Sequence, residues 1–179
     1  MLQIEVKGLD RLVKRLENYA KDLDQKKRDF LERLADIGVN TAIIRFADAE
    51  YDGTNDVVVE RASWINENTI AVRATGSSVL FIEFGTGVSF PEHPQADEFG
   101  YYHGMYGKGQ GMNVNGWIYR GEQGTHGMPV AIKDKDGKVL GQKEGIYRTF
   151  GNPPARAMYE ASKDMRNELL NIAKEVFTP

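Results

Sequence analysis

No cysteine occurs among the 179 residues, which excludes disulfides, thiolate metal ligands and a cysteine nucleophile. Long apolar runs are missing as well, and none approaches the roughly 18 residues that a membrane span needs. The opening Met1-Leu2-Gln3-Ile4-Glu5-Val6 lacks the basic start and apolar core of a signal peptide. Neither sign of charge dominates: Lys and Arg total 23 against 26 Asp and Glu, a formal net charge of −3. A protein that grips phosphate backbones is expected to carry a basic domain or stripe, and none is present. These absences predict a soluble chain made in the cytoplasm, with no membrane partner and no sequence-specific nucleic-acid partner. Apolar residues make up 41% of the chain, enough for a core, and the length fits one domain, or one domain carrying a sizeable insertion.

The chain is organised around Val79-Leu80-Phe81-Ile82-Glu83-Phe84-Gly85-Thr86-Gly87. Its β-branched and aromatic composition, closed by Gly-Thr-Gly, predicts a buried strand ending in a tight turn. Upstream, Leu2 to Lys7 alternates like a half-buried strand. From Leu9 the apolar positions follow a 4-3 spacing through Val13, Leu16, Ala20, Leu23, Phe30, Leu34 and Ile37, with Lys27 filling one seam position. Helix is predicted from Leu9 to Ala47, jointed near 24–27 or projecting, since an unbroken helix would run close to 57 Å. A coiled-coil seam is a weaker reading, because Lys27, Thr41 and two alanines dilute it.

After the turn-rich link Glu50 to Asp56, strands are expected at Val57 to Trp64 and Thr69 to Ala74. With the Val79 run they would form an antiparallel meander, the connections being too short for parallel crossovers. From Gly85 to Gly151 the texture changes: 15 of the 19 glycines lie there, with all three histidines. Short strands are expected at 117–120, 130–133, 138–140 and 146–148, with a hairpin turn at Asp134-Lys135-Asp136-Gly137. A final amphipathic helix follows Pro154, its stripe formed by Met158, Met165, Leu169, Ile172 and Val176 beside Ala161 and Ala173. It is expected to pack across the meander. The fold class is α+β: a single domain over 1–179, an antiparallel meander packed by a long N-terminal and a C-terminal helix, with an inserted glycine- and aromatic-rich β lobe at about 88–150.

His93, His103 and His126 show no metalloprotease-type spacing, so no metal site and no cofactor are expected. Gly107-Lys108-Gly109-Gln110-Gly111 lacks the Gly-Lys-Ser/Thr ending of a phosphate-binding loop. Glu83 has two readings. As a general base with a loop histidine it would centre a hydrolase. As a structural group it would make a buried hydrogen bond or an ion pair, for instance with Arg61, Arg73 or Arg156. The structural reading is favoured, because no acid, metal or nucleophile accompanies the carboxylate in the sequence. In the lobe, Tyr101, Tyr102, Tyr106, Trp117 and Tyr119 interleave with Lys108 and Arg120. Such aromatics stack on single-stranded bases, but neighbouring Glu92, Asp97, Glu98 and Glu122 oppose a phosphate groove. A protein-docking surface is preferred for these five aromatics.

The core Ile82-Glu83-Phe84-Gly85-Thr86-Gly87 resembles the apolar-Glu-Phe-Gly-Thr signature of the tail-completion, or head–tail joining, neck proteins of long-tailed bacteriophages and their prophages. Gly8-Leu9 leading into a long charged helix, the turn-rich link, and Gly151-Asn152-Pro153-Pro154-Ala155-Arg156-Ala157-Met158 leading into the last helix agree with it. The likeness covers most of 2–87 and 150–177. Two departures stand out: Asp52-Gly53-Thr54-Asn55-Asp56 replaces the usual Asp-Thr-Gly-x-Leu, and Ala157 stands where many members have proline. The lobe is also larger than the family's usual loop. The resemblance implies a virion structural protein without enzymatic activity, made in the host cytoplasm. It would assemble as a ring, commonly sixfold, between the tail tube protein and the head-completion connector, with Glu83, Phe84, Gly85, Thr86 and Gly87 as a structural motif.

Overall fold

The computed structural model describes residues 9–107 and 109–178. The strand expected over Leu2 to Lys7 lies outside them, as does Lys108. The fold is α+β, with the order α1 (Leu9–Ala47), β1 (Val58–Asn66), β2 (Thr69–Thr75), α2 (Val79–Phe84), β3 (Trp117–Arg120), β4 (Met128–Lys133), β5 (Val139–Thr149) and α3 (Ala157–Phe177).

The 4-3 repeat produces one unbroken α1 of 39 residues, continuous through 24–27. At about 1.5 Å per residue it is roughly 58 Å long. α3, with 21 residues, spans only about 31 Å. It runs antiparallel along the C-terminal half of α1. Phe30 meets Phe177 at 5.7 Å between ring centroids, and Leu34 packs with Ile172 and Val176. Thr41 donates to Asp164 at 3.0 Å, and Ala42 and Phe46 close on Ala157 and Ala161. Gly38 lets the helices approach, since a Cβ there would meet the Met165 sulfur at 2.6 Å. The expectation that this last helix crosses the meander is therefore corrected: its apolar stripe matches the seam of α1, which offers an equally long complementary ridge. Leu169, expected in the stripe, is exposed.

β1 and β2 form an antiparallel hairpin that lies beside α1. Trp64 Nε1 donates to Glu32 at 3.1 Å and lies under the Arg28 guanidinium at 5.1 Å. Lys27, the polar member of the seam, donates to Asn68 at the hairpin tip at 3.0 Å. The third strand of the expected meander does not exist; Val79–Phe84 is a six-residue helix. In the lobe, β3, β5 and β4 form an antiparallel sheet with β5 in the centre. The two short strands expected at 138–140 and 146–148 are the ends of the single strand β5. The turn at Asp134 closes as expected, with Asp134 Oδ1 accepting the Asp136 and Lys138 amides at 3.0 and 2.9 Å.

The core is small and rich in alanine. One cluster joins Ala42, Phe46, Ile82, Ala157 and Ala161, and a second joins Leu34, Ile172 and Val176. The first contains Ile82 of α2, so the motif helix is the hub between α1, α3 and the lobe.

Candidate functional site

The site is built from α2, the turn that precedes it and the segment that leads into α3. Asp56, in the link after α1, points its carboxylate at the start of α2. It accepts the Ser77 amide at 2.7 Å, the Ser77 hydroxyl at 2.8 Å and the Ser78 amide at 2.9 Å, and the Ser78 hydroxyl also donates to it. These bonds satisfy donors that the start of a helix leaves open. The Ser78 hydroxyl, followed by the Ser77 amide, holds the Asp56 carboxyl well below the usual carboxylate range. A strand-like composition is thus overridden by an acceptor more than twenty residues upstream. The helical turn also changes which side chains point together. Ile82 and Glu83 are both buried, whereas a strand would have sent them to opposite faces.

Glu83 caps α3. Its Oε2 accepts the Met158 amide at 2.9 Å, and its Oε1 accepts the Tyr159 amide at 3.1 Å. The first amides of a helix have no partner within it, and its N-terminus favours a negative charge. α3 cannot cap itself, because its own cap residue, Arg156, makes no side-chain cap bond. The backbone joins in: Ala155 N donates to Ile82 O at 2.8 Å and Arg156 N to Glu83 O at 3.2 Å. The arginines suggested by sequence do not partner Glu83. Instead His93 does, with Nε2 at 3.2 Å from Oε1. His93 Nδ1 accepts the Gln95 amide at 3.1 Å, which leaves the ring proton on Nε2, aimed at the carboxylate. The imidazole lies 4.5 Å from the Phe84 ring and 5.6 Å from that of Tyr159. Both members of the pair are buried.

The remaining motif residues complete the clasp. Thr86 and Asn152 exchange backbone bonds at 3.0 and 3.2 Å. The Thr86 hydroxyl donates to Asn152 Oδ1 at 3.2 Å and accepts the Asn152 amide at 2.9 Å. Gly85 has φ 76°, and a Cβ there would meet Pro154 N at 2.7 Å and Asn152 O at 2.8 Å. Gly151 has φ 105°, and a Cβ would overlap the Thr86 carbonyl. Gly87 donates to Tyr106 O at 2.9 Å. Phe84 stacks on Tyr101 with centroids 4.0 Å apart. Every residue from Glu83 to Gly87 is therefore engaged in holding Gly151–Met158 or the lobe.

The lobe is tied to the link after α1 as well. Asp52 accepts the His126 amide at 2.9 Å, and His126 Nε2 lies 3.0 Å from Glu50 Oε2. His103 Nε2 lies 2.8 Å from the Phe90 carbonyl. The three histidines thus go to three separate partners, and no group of three or more His, Asp or Glu side chains suited to a metal exists among the described residues. Of the five aromatics read as docking residues, only Tyr102 is exposed. Tyr106 lies edge-on to Phe81 at 4.7 Å, and Tyr119 pairs with Tyr147 at 5.6 Å and accepts the Gly124 amide at 2.9 Å. Trp117 is half-buried and helps line a cavity of about 210 Å³ with Tyr51, Phe81 and Tyr119. Four of the five therefore anchor the lobe on the chain itself. Asp56 and Asn152 escaped the sequence reading; no local signal marked the first, since the serines that it binds lie more than twenty residues downstream.

Chemically, the arrangement offers a histidine–carboxylate pair beside a cleft of about 370 Å³ lined by Leu80, Phe99, Tyr101, Tyr159, Ser162 and Arg166, among others. Both carboxylate oxygens already accept backbone amides, and no serine, threonine or tyrosine oxygen is hydrogen-bonded to His93 among the described residues. Compared with protein-family models, with curated proteins and with solved structures, the chain matches none.

Proposed function

We propose that the chain is a structural subunit of a phage neck, acting in tail completion and head–tail joining, and has no enzymatic activity. The observation that carries this reading is the clasp. The two stretches that resemble the neck-protein signature, Ile82–Gly87 and Gly151–Met158, lie far apart in sequence and are bonded to each other residue by residue. A motif whose residues are all used in this way is a scaffold element.

The amount of exposed surface supports assembly. The chain exposes 12664 Å², whereas a compact monomer of its mass exposes about 8,700 Å². Nearly 4,000 Å² beyond that expectation is several times the share one partner contributes to a standard interface, about 800 Å². In this reading the copies form a ring, commonly sixfold in such proteins, that contacts the tail tube protein on one side and the head-completion connector on the other. The C-terminal half of α1, with α3 and the β1–β2 hairpin packed on it, forms the body of each subunit, and the N-terminal half of α1 and the lobe reach neighbours. Tyr102 is the one predicted docking aromatic free to do so; the other four stabilise the lobe that presents it.

The Glu83–His93 hydrogen bond is the single feature favouring a hydrolase. Glu83→Gln separates the readings: a hydrolase loses turnover with its fold intact, whereas the clasp loses stability or assembly. The role itself is tested by electron microscopy of an induced lysate from the parent phage or prophage lacking this gene. Filled heads beside separate, unjoined tails are expected. Intact, infectious particles would overturn the neck reading.

A further inference from the structure

The cavity of about 210 Å³ between the lobe and the link after α1 is walled by the rings of Tyr51, Phe81, Trp117 and Tyr119. Its wall is not wholly apolar, since Asn152 and Asp52 also line it. Asn152 is buried, at 5% exposure. The Thr86 hydroxyl accepts its backbone amide and donates to its Oδ1, which turns Nδ2 away from Thr86. Nδ2 is buried and has no hydrogen-bond partner among the described residues. Leaving such a donor unmet costs about 1–3 kcal/mol. The clasp gains nothing from it, because it uses only the backbone and Oδ1 of this residue.

Asp52 offers the opposite character. Its Oδ1 accepts the His126 amide at 2.9 Å. Its Oδ2 meets only the Thr149 hydroxyl, at 3.5 Å, longer than an ordinary bond between oxygens. That oxygen keeps room to accept an N–H. A free donor and a free acceptor in one chamber match a carbonyl that has an N–H beside it. The four rings favour a flat partner, and the carboxylate opposes an anion. The volume is below that of pockets for drug-sized ligands, roughly 300 Å³ and upward, and suits a single ring. We propose that this cavity is a binding site for a small, neutral, planar ring with an amide edge, such as an aromatic carboxamide or a lactam heterocycle. Asn152 Nδ2 donates to its carbonyl and Asp52 Oδ2 accepts its N–H. The site is independent of the neck reading, since neither the clasp nor a ring of subunits needs an occupant there.

Nicotinamide and thymine are the probes, titrated into the isotope-labelled full chain and followed by nuclear magnetic resonance. The Asn152 side-chain amide and the Trp117 indole N–H should shift together and saturate, with a Kd of roughly 1 mM for so few atoms. Benzoate, which replaces the amide by a carboxylate, and benzyl alcohol, which lacks the carbonyl, should bind roughly 10-fold more weakly or worse. Asn152→Asp keeps the acceptor for Thr86, removes the free donor and should weaken nicotinamide roughly 10-fold. The titration of the parent chain stands whether or not that variant folds. Absence of a saturable shift at these two groups with either probe would overturn the proposal. So would benzoate or benzyl alcohol binding as tightly as the amides, or a folded Asn152→Asp chain binding nicotinamide as the parent does.

Discussion

The clasp around Glu83 and the free half of α1 differ in how their sequences are used. In the clasp, short segments without strong local propensity are fixed by non-local bonds: a carboxylate from one element caps the helix of another, and glycines let backbones touch. In residues 10–25, a strong local pattern makes a helix whose side chains are all exposed. The first region spends its side chains on holding one subunit together. The second leaves its apolar face exposed, in a molecule where Ile82 is the one large, fully buried side chain among the described residues. Stability and assembly are thus separated along the sequence, and substitutions should divide accordingly.

The largest effect on folding is expected at Gly151. Gly151→Ala combines a left-handed backbone with a collision against the Thr86 carbonyl, and should cost about 4 kcal/mol in urea unfolding. Next comes Glu83. Glu83→Ala strands the Met158 and Tyr159 amides and the His93 ring N–H, and should lower stability by about 3 kcal/mol. Glu83→Gln keeps one good acceptor oxygen and should cost about half as much. A negligible effect of either would break the distinction between the two regions.

Asp56 sharpens it through pH. Its folded-state carboxyl is depressed chiefly by the Ser78 hydroxyl and the Ser77 amide. The contribution is therefore complete above the ordinary carboxylate range and is lost as the pH falls through that range toward the depressed value. Asp56→Ala should melt at a lower temperature than the parent at neutral pH, and the gap should close as the solution is acidified. The smallest effect on folding belongs to the free half of α1. Leu16→Asp should change unfolding free energy by no more than about 0.5 kcal/mol, although its effect on ring assembly should be the largest of the set.

What was legible in the sequence follows the same division. α1 and the hairpin turn at Asp134 were readable because helix and turn signals are local. Val79–Phe84 was misread: its β-branched and aromatic residues argue for a strand, and the capping Asp56 carboxylate is not a neighbour in sequence. The partner of α3 was hidden for a related reason, since an apolar stripe specifies burial but not the surface that buries it. A buried hydrogen bond was expected of Glu83, yet the amides that it accepts lie some 75 residues onward. Gly-Thr-Gly announced a turn, while the reason for its glycines is the opposing backbone of 150–154. The lobe aromatics looked like a docking surface because composition does not distinguish a tyrosine that faces solvent from one stacked on its own chain.

Amide hydrogen exchange on the full chain, at a low and a high protein concentration, examines both regions in one experiment. At low concentration the Met158, Tyr159, Thr86 and Asn152 amides should exchange only with global unfolding, while residues 10–25 exchange quickly. At high concentration, where the ring reading has copies meet, protection should appear in residues 10–25 and leave the clasp unchanged. Fast exchange at Met158 and Tyr159, or strong protection of 10–25 in the dilute chain, would contradict the separation of fold and assembly.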